Sequence, residues 1–125
     1  MSRTQRHALA WALLIVALHI IPRSGIVNTP GGRQFAESRW QDKVAHAALF
    51  ATLAWLWMRD PRSRWLPFAA AAIGLGVILE VAQDRLPLGR SGSIEDLMSD
   101  TIGLALGTAL ALWLRQPHAV VADPA

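Results

Sequence analysis

Apolar residues gather into four runs along the chain: 8–21 (ALAWALLIVALHII), 44–58 (VAHAALFATLAWLWM), 65–82 (WLPFAAAAIGLGVILEVA) and 97–114 (LMSDTIGLALGTALALWL). None is a clean stretch of about 20 uninterrupted apolar residues, the length that crosses a bilayer. Extended into their flanks they predict helices near 6–21, 42–59, 64–84 and 94–115, each of roughly spanning length at about 1.5 Å per residue. A soluble four-helix bundle would need a polar stripe on each outward face. Residues 69–79 carry no charge on any face. The pattern therefore predicts an all-α, polytopic membrane protein, a single domain over 1–125 with four transmembrane helices in an up-down bundle.

Breaks in the pattern set the connections. Residues 59–64 (RDPRSR) predict a tight hairpin, 22–41 a longer loop with Gly25, Pro30, Gly31 and Gly32, and 85–93 a shorter one. The tail 116–125 is expected to fray. The first run also resembles a secretory signal, with Arg3 and Arg6 before a short apolar core. Its closing residues His19, Ile20, Ile21 and Pro22 match a cleavage site poorly. A retained helix, stopped by Pro22, is the reading adopted.

Composition agrees with a membrane protein: hydrophobic residues make up 53%, charged residues 17%, and mean hydropathy is +0.30. There is no cysteine, so disulfides and thiolate metal sites are excluded. Net charge is +3, and all the basic residues but Lys43 are arginines. They sit in short clusters between apolar runs, as loop charges at a bilayer do, so nucleic acid is not expected as a partner. The end holding both termini and the hairpin carries Arg3, Arg6, Arg59, Arg62, Arg64 and Arg115. The opposite end carries Arg23, Arg33, Arg39, Lys43, Arg85 and Arg90. Discounting Lys43, Arg85 and Arg90, which neighbour carboxylates, leaves the first end richer. A cell-membrane location with both termini cytoplasmic is the expectation. Trp55, Trp57, Trp65 and Trp113 would form an aromatic belt near that end.

In an up-down chain the polar residues within or beside the apolar runs share the other end. They are His19 and Arg23; Asp42, Lys43 and His46; Glu80, Gln83 and Arg85; and Asp96 and Asp100. Asp42 and His46 are i, i+4 on one helix face, as are Asp96 and Asp100, while Glu80 and Gln83 are i, i+3. Gly103, Gly107 and Ala111 continue the face of Asp100, a small-residue step that lets helices approach closely in lipid. A charge at the bilayer centre costs about 3 kcal/mol on insertion scales, so these groups are expected to pair or to line a wet recess. Plainer roles stand beside this one. Asp42 would N-cap its helix, Ser93 and Asp96 would form a capping box, His19 would be a satisfied polar residue, and Arg85 and Arg90 would snorkel.

The pieces DKVAH (42–46), EVAQ (80–83) and GRSGSIEDLMSDTIGLALG (89–107) together resemble the VanZ-like family. That pattern reads roughly Asp-Lys-x-x-His, then Glu-x-x-Gln, then Arg, Asp and Asn-Thr-x-Gly-x-x-x-Gly. Asp42, Lys43, His46, Glu80, Gln83, Arg90, Asp96, Gly103 and Gly107 match it. Asp100 stands where the family usually has Asn, which keeps an acceptor and loses the amide donor. The resemblance implies a small integral membrane protein, with a founder linked to teicoplanin resistance and no settled reaction.

Three functions fit these residues. One is a pocket for the headgroup of an amphiphile, a glycopeptide antibiotic or a lipid-linked envelope precursor, held by Lys43, Gln83, Arg85, Arg90, Asp96 and Asp100. The second is an enzyme in which Asp42 orients His46 as acid or base, Glu80 assists, and Arg90 or Lys43 stabilises negative charge. The third is an internal ion-pair network that only fixes helix register, in a protein that serves as a structural partner subunit without a ligand. No cofactor is called for. A metal would draw on His46, Glu80, Asp96 or Asp100, but no tight ligand spacing is present, so none is expected.

Overall fold

The Ser2 hydroxyl accepts the Gln5 backbone N–H at 3.2 Å, and the Gln5 side chain accepts the Ser2 N–H at 3.0 Å. This reciprocal cap starts the first helix at Arg3, a little before the apolar run alone suggests. The computed structural model describes residues 1–37 and 39–115, and the expected tail lies outside them. Its helices are α1 (Arg3–Ile20), α2 (Arg23–Val27), α3 (Gly32–Glu37), α4 (Arg39–Met58), α5 (Trp65–Arg85) and α6 (Ile94–Leu114). No strand occurs among the described residues.

The expected 22–41 loop is corrected: it holds two short helices, and α4 begins at Arg39. Asp42 therefore lies in the first turn of α4 and is not its N-cap, although a carboxylate there still favours the positive helix end. At the next junction Ser93 does cap α6, its hydroxyl accepting the Asp96 N–H at 3.3 Å. Gly89 takes the left-handed φ of +65° that turns the chain from α5 toward that cap.

The four long helices run up, down, up, down. Trp11 Nε1 of α1 donates to the Leu49 carbonyl of α4 at 2.9 Å. Gly103 and Gly107 of α6 lie against the backbone of Ala47 and Ala51, so tightly that a Cβ on either glycine would overlap a carbonyl oxygen of α4. Because residues 47 and 51 match 103 and 107 in order, α4 and α6 run parallel. The buried centre contains Ile15, Phe50, Leu53, Phe68, Leu79 and Leu104.

Large aliphatic side chains also cover the outside. Leu13 is 71% exposed, Ile78 65% and Leu106 62%, while His46, Glu80 and Asp100 are buried. Water penalises that distribution and lipid does not. Helices α5 and α6, each of 21 residues, are long and apolar enough to cross a membrane. Where the surroundings are as apolar as the interior, close backbone packing rather than burial joins the helices.

Ser2, the α4–α5 hairpin and Arg115 close one end. The Asp60 side chain accepts the Arg62 N–H at 2.9 Å, and the Arg115 guanidinium donates to the Asp60 carbonyl. Hydrogen bonding from Ser2 and from the Arg62 N–H holds the Asp60 carboxyl below its usual range. The tryptophans expected near this end lie here: Trp65 and Trp113 are exposed, Trp57 stacks on Phe68 at 5.5 Å, and Arg59 lies 4.6 Å over Trp55.

The α4–α6 contact carries a direct prediction. Gly103→Val and Gly107→Val force the helices apart and cost about 3 kcal/mol or more, each cutting the folded, monodisperse fraction in detergent. Ala105→Val, on an exposed position of the same helix, is expected to leave that fraction intact.

Candidate functional site

At the end opposite the termini, four helices deliver polar side chains to one place. Helix α1 brings His19 in its last turn, α4 brings Asp42, Lys43 and His46 in its first two turns, α5 brings Glu80 and Gln83, and α6 brings Asp96 and Asp100. The spacing seen in the sequence does set the faces. Lys43 and His46 lie on the side of α4 toward α6, where Asp96 and Asp100 meet them.

His46 Nδ1 donates to Asp100 Oδ1 at 3.0 Å, and both residues are almost fully buried. Since a carboxylate only accepts, Nδ1 carries the proton of this bond. This replaces the expected partner. Asp42 pairs with Arg90 Nη2 at 3.3 Å, so the carboxylate that orients the imidazole comes from α6 and is not the one a turn away on α4.

Glu80 has two oxygens in different situations. Oε2 accepts the Ser93 backbone N–H at 2.6 Å, while Oε1 is buried without a partner. One helical turn later, Asp84 accepts the Gly92 N–H at 2.7 Å. These two acids fasten the α5–α6 turn to the end of α5. Glu80 therefore has one structural bond and one open oxygen. Ligand atoms of His46, Glu80 and Asp100 all lie within 4.8 Å of one another.

His19, set down as a satisfied polar residue, belongs to this cluster. Its Nδ1 donates to the Ile15 carbonyl at 2.7 Å, and its ring meets His46 edge-on at 4.8 Å between centroids. Its Nε2 is buried and unpartnered. Gln83 Nε2 lies 3.4 Å from the His19 carbonyl and closes the cluster from α5.

Above the buried group, Lys43 bridges Glu95 at 2.7 Å and Asp96 at 3.0 Å. Glu95 was not singled out in the sequence, although its place beside Asp96 in the first turn of α6 is the signal that would have found it. A polar cavity of about 190 Å³ opens there, with Arg23, Arg39, Lys43, Arg90, Asp42 and Asp96 in its walls and Gln83 toward its floor. Neither His46 nor Glu80 lines it. Arg85 is exposed at the end of α5 and outside the lining. Gly103 and Gly107 act by position, bringing α6 close enough for the His46–Asp100 bond.

The described residues define an all-helical protein with a polar, buried end and two helices long and apolar enough to cross a membrane. Within that class the chain belongs to the VanZ/LLP1 family, whose model matches residues 2–115. No curated protein and no solved structure matches it.

The two halves of the buried pair should differ in substitution. His46→Ala leaves Asp100 buried without its donor and is expected to destabilise by about 3–5 kcal/mol. Asp100→Asn retains a carbonyl acceptor for the imidazole N–H and should cost only about 1 kcal/mol. Thermal unfolding of the purified variants in one detergent gives the order; equal losses would contradict the assigned pairing.

Proposed function

We propose that the protein is a multi-pass membrane protein whose cavity binds the polar headgroup of a membrane amphiphile, with a phosphate-bearing head the best match. Helices α1 and α4, of 18 and 20 residues, cross the bilayer beside α5 and α6 and turn their polar residues inward. The basic excess left at the terminal end once Lys43, Arg85 and Arg90 are set aside supports cytoplasmic termini, which puts the cavity near the outer leaflet.

The observation that carries this reading is the cavity wall. Four cationic side chains face three acidic ones, with the Ser91 and Ser93 residues between them. The Arg90–Asp42 contact at 3.3 Å is long for an ion pair, and both side chains keep part of their surface open to the cavity mouth, so an incoming phosphate competes with Asp42 for the guanidinium. Volume narrows the ligand. Pockets that engulf drug-sized molecules run to about 300–1,000 Å³, and this one is well below that range. A whole glycopeptide does not fit; a single headgroup does, with its chains along the apolar outer faces of the helices.

Catalysis by His46 and Glu80 is the weaker reading, because both lie beneath the cavity rather than in its wall. Resistance to teicoplanin would follow from the headgroup reading only if the lipid bound is one the antibiotic depends on.

The test is retention of lipids by the protein in nanodiscs, compared by native mass spectrometry. A polyprenyl phosphate should be retained over a neutral diacylglycerol. Arg90→Ala and Arg39→Ala should each weaken that retention by about 10- to 100-fold, the range for a lost charge-assisted hydrogen bond. Equal retention of charged and neutral lipids would refute the proposal.

A further inference from the structure

We propose that His46, Glu80 and Asp100 form a binding site for a divalent transition metal, with Zn²⁺ the best match to their donor atoms. The site lies below the headgroup cavity and does not depend on that reading.

The first observation is convergence from three helices. One ligand atom from each residue falls within 4.8 Å of the other two. A tetrahedral Zn²⁺ with bonds of about 2.0–2.2 Å sets its ligand atoms roughly 3.4 Å apart. Binding would close the remaining gap by side-chain rotation.

A second, independent observation is the set of polar atoms left over. Glu80 Oε1 and Asp100 Oδ2 are both buried without partners, on residues that are 8% and 1% exposed. Buried polar atoms are nearly always satisfied, and open carboxylate oxygens are the costliest to leave bare. Neither acid takes part in the Lys43 or Arg90 bridges. One cation between them answers both open oxygens and offsets the two negative charges gathered around a single imidazole.

The imidazoles are prepared for ligation. His46 Nδ1 and Asp100 Oδ1 already lie 3.0 Å apart, close to the spacing of two donors on one metal, so an ion that displaces the Nδ1 proton is held by Nδ1 and the Asp100 carboxylate while Nε2–H faces away. His19 contributes a bare, buried Nε2, its tautomer set by the Nδ1–H bond to the Ile15 carbonyl. It stands beside His46 as a further nitrogen donor. The mixture of imidazole and carboxylate, with no thiolate, suits Zn²⁺ and its first-row neighbours better than Ca²⁺, Mg²⁺ or Cu(I). Local sequence spacing could not show this, because each ligand comes from a different helix.

Full-length protein, purified in detergent and stripped with a chelator, is titrated with Zn²⁺ and with Co²⁺. Binding should saturate at one metal per chain, and the Co²⁺ form should show the visible absorption of a four-coordinate site. Saturating Zn²⁺ should raise the melting temperature by about 5 °C or more. Glu80→Gln and Asp100→Asn keep size and an acceptor oxygen, and each should weaken binding at least about 10-fold. Arg90→Ala should leave metal binding unchanged while it weakens lipid retention, which separates this proposal from the previous one. The wild-type titration alone is decisive if a variant fails to fold. Absence of binding up to submillimolar Zn²⁺, or unaltered binding by both Glu80→Gln and Asp100→Asn, overturns the site.

Discussion

Gly103 and Gly107 let the backbone of α6 rest against the carbonyls of Ala47 and Ala51, and this contact sets the register for everything above it. With the two helices parallel and pinned at successive turns, the preceding turn of each must also meet. His46 then faces Asp100, and a turn further on Lys43 faces Asp96 and Glu95. A side chain on either glycine would move α6 outward by more than a hydrogen bond tolerates. Small residues low on the helix thus determine which charges pair at its top, and α1 and α5 add His19, Glu80 and Gln83 to a frame already fixed.

The polar end has two layers with different physics. The upper one is wet, with salt bridges partly open to solvent and a cavity between them; ion pairs of that kind are individually weak and can be exchanged for a ligand. In the lower layer His19, His46, Glu80 and Asp100 are shut away, where an unpartnered oxygen or nitrogen is expensive. The upper layer is therefore the place for a headgroup to enter. The lower layer is the place for a tightly held ion, and it supports the wall above through Gln83 and the Ser93 N–H.

Much of this was legible in the chain. Four apolar runs gave the four long helices within a few residues, since α1, α4, α5 and α6 each bury only part of their surface and remain apolar outside. The i, i+4 spacings of Asp42 with His46 and of Asp96 with Asp100, followed by the Gly103–Gly107 step, located the polar end and the face of α6 that packs inward. The partner of His46 was not legible, because spacing within α4 proposes Asp42, whereas the pairing depends on how far α6 slides along α4. The helices α2 and α3 were also hidden, being too short for an apolar period in a stretch rich in Gly and Pro. His19 read as an ordinary terminal residue because nothing in α1 shows that its ring will meet that of His46. Glu80 was legible as a member of the polar end, and only the fold shows that it holds the N–H of Ser93 while presenting a second oxygen to the cluster.

The claim that most depends on the packing is that the imidazole of α4 and the carboxylate of α6 act on each other inside the bundle. A double-mutant cycle of His46→Ala and Asp100→Ala, read as unfolding free energy in one detergent, measures it directly. The fold described here requires a coupling of about 1.5 kcal/mol or more, as found for buried residues in contact. Free energies that add to within about 0.5 kcal/mol, the behaviour of distant sites, would mean the two groups do not meet and would contradict the arrangement.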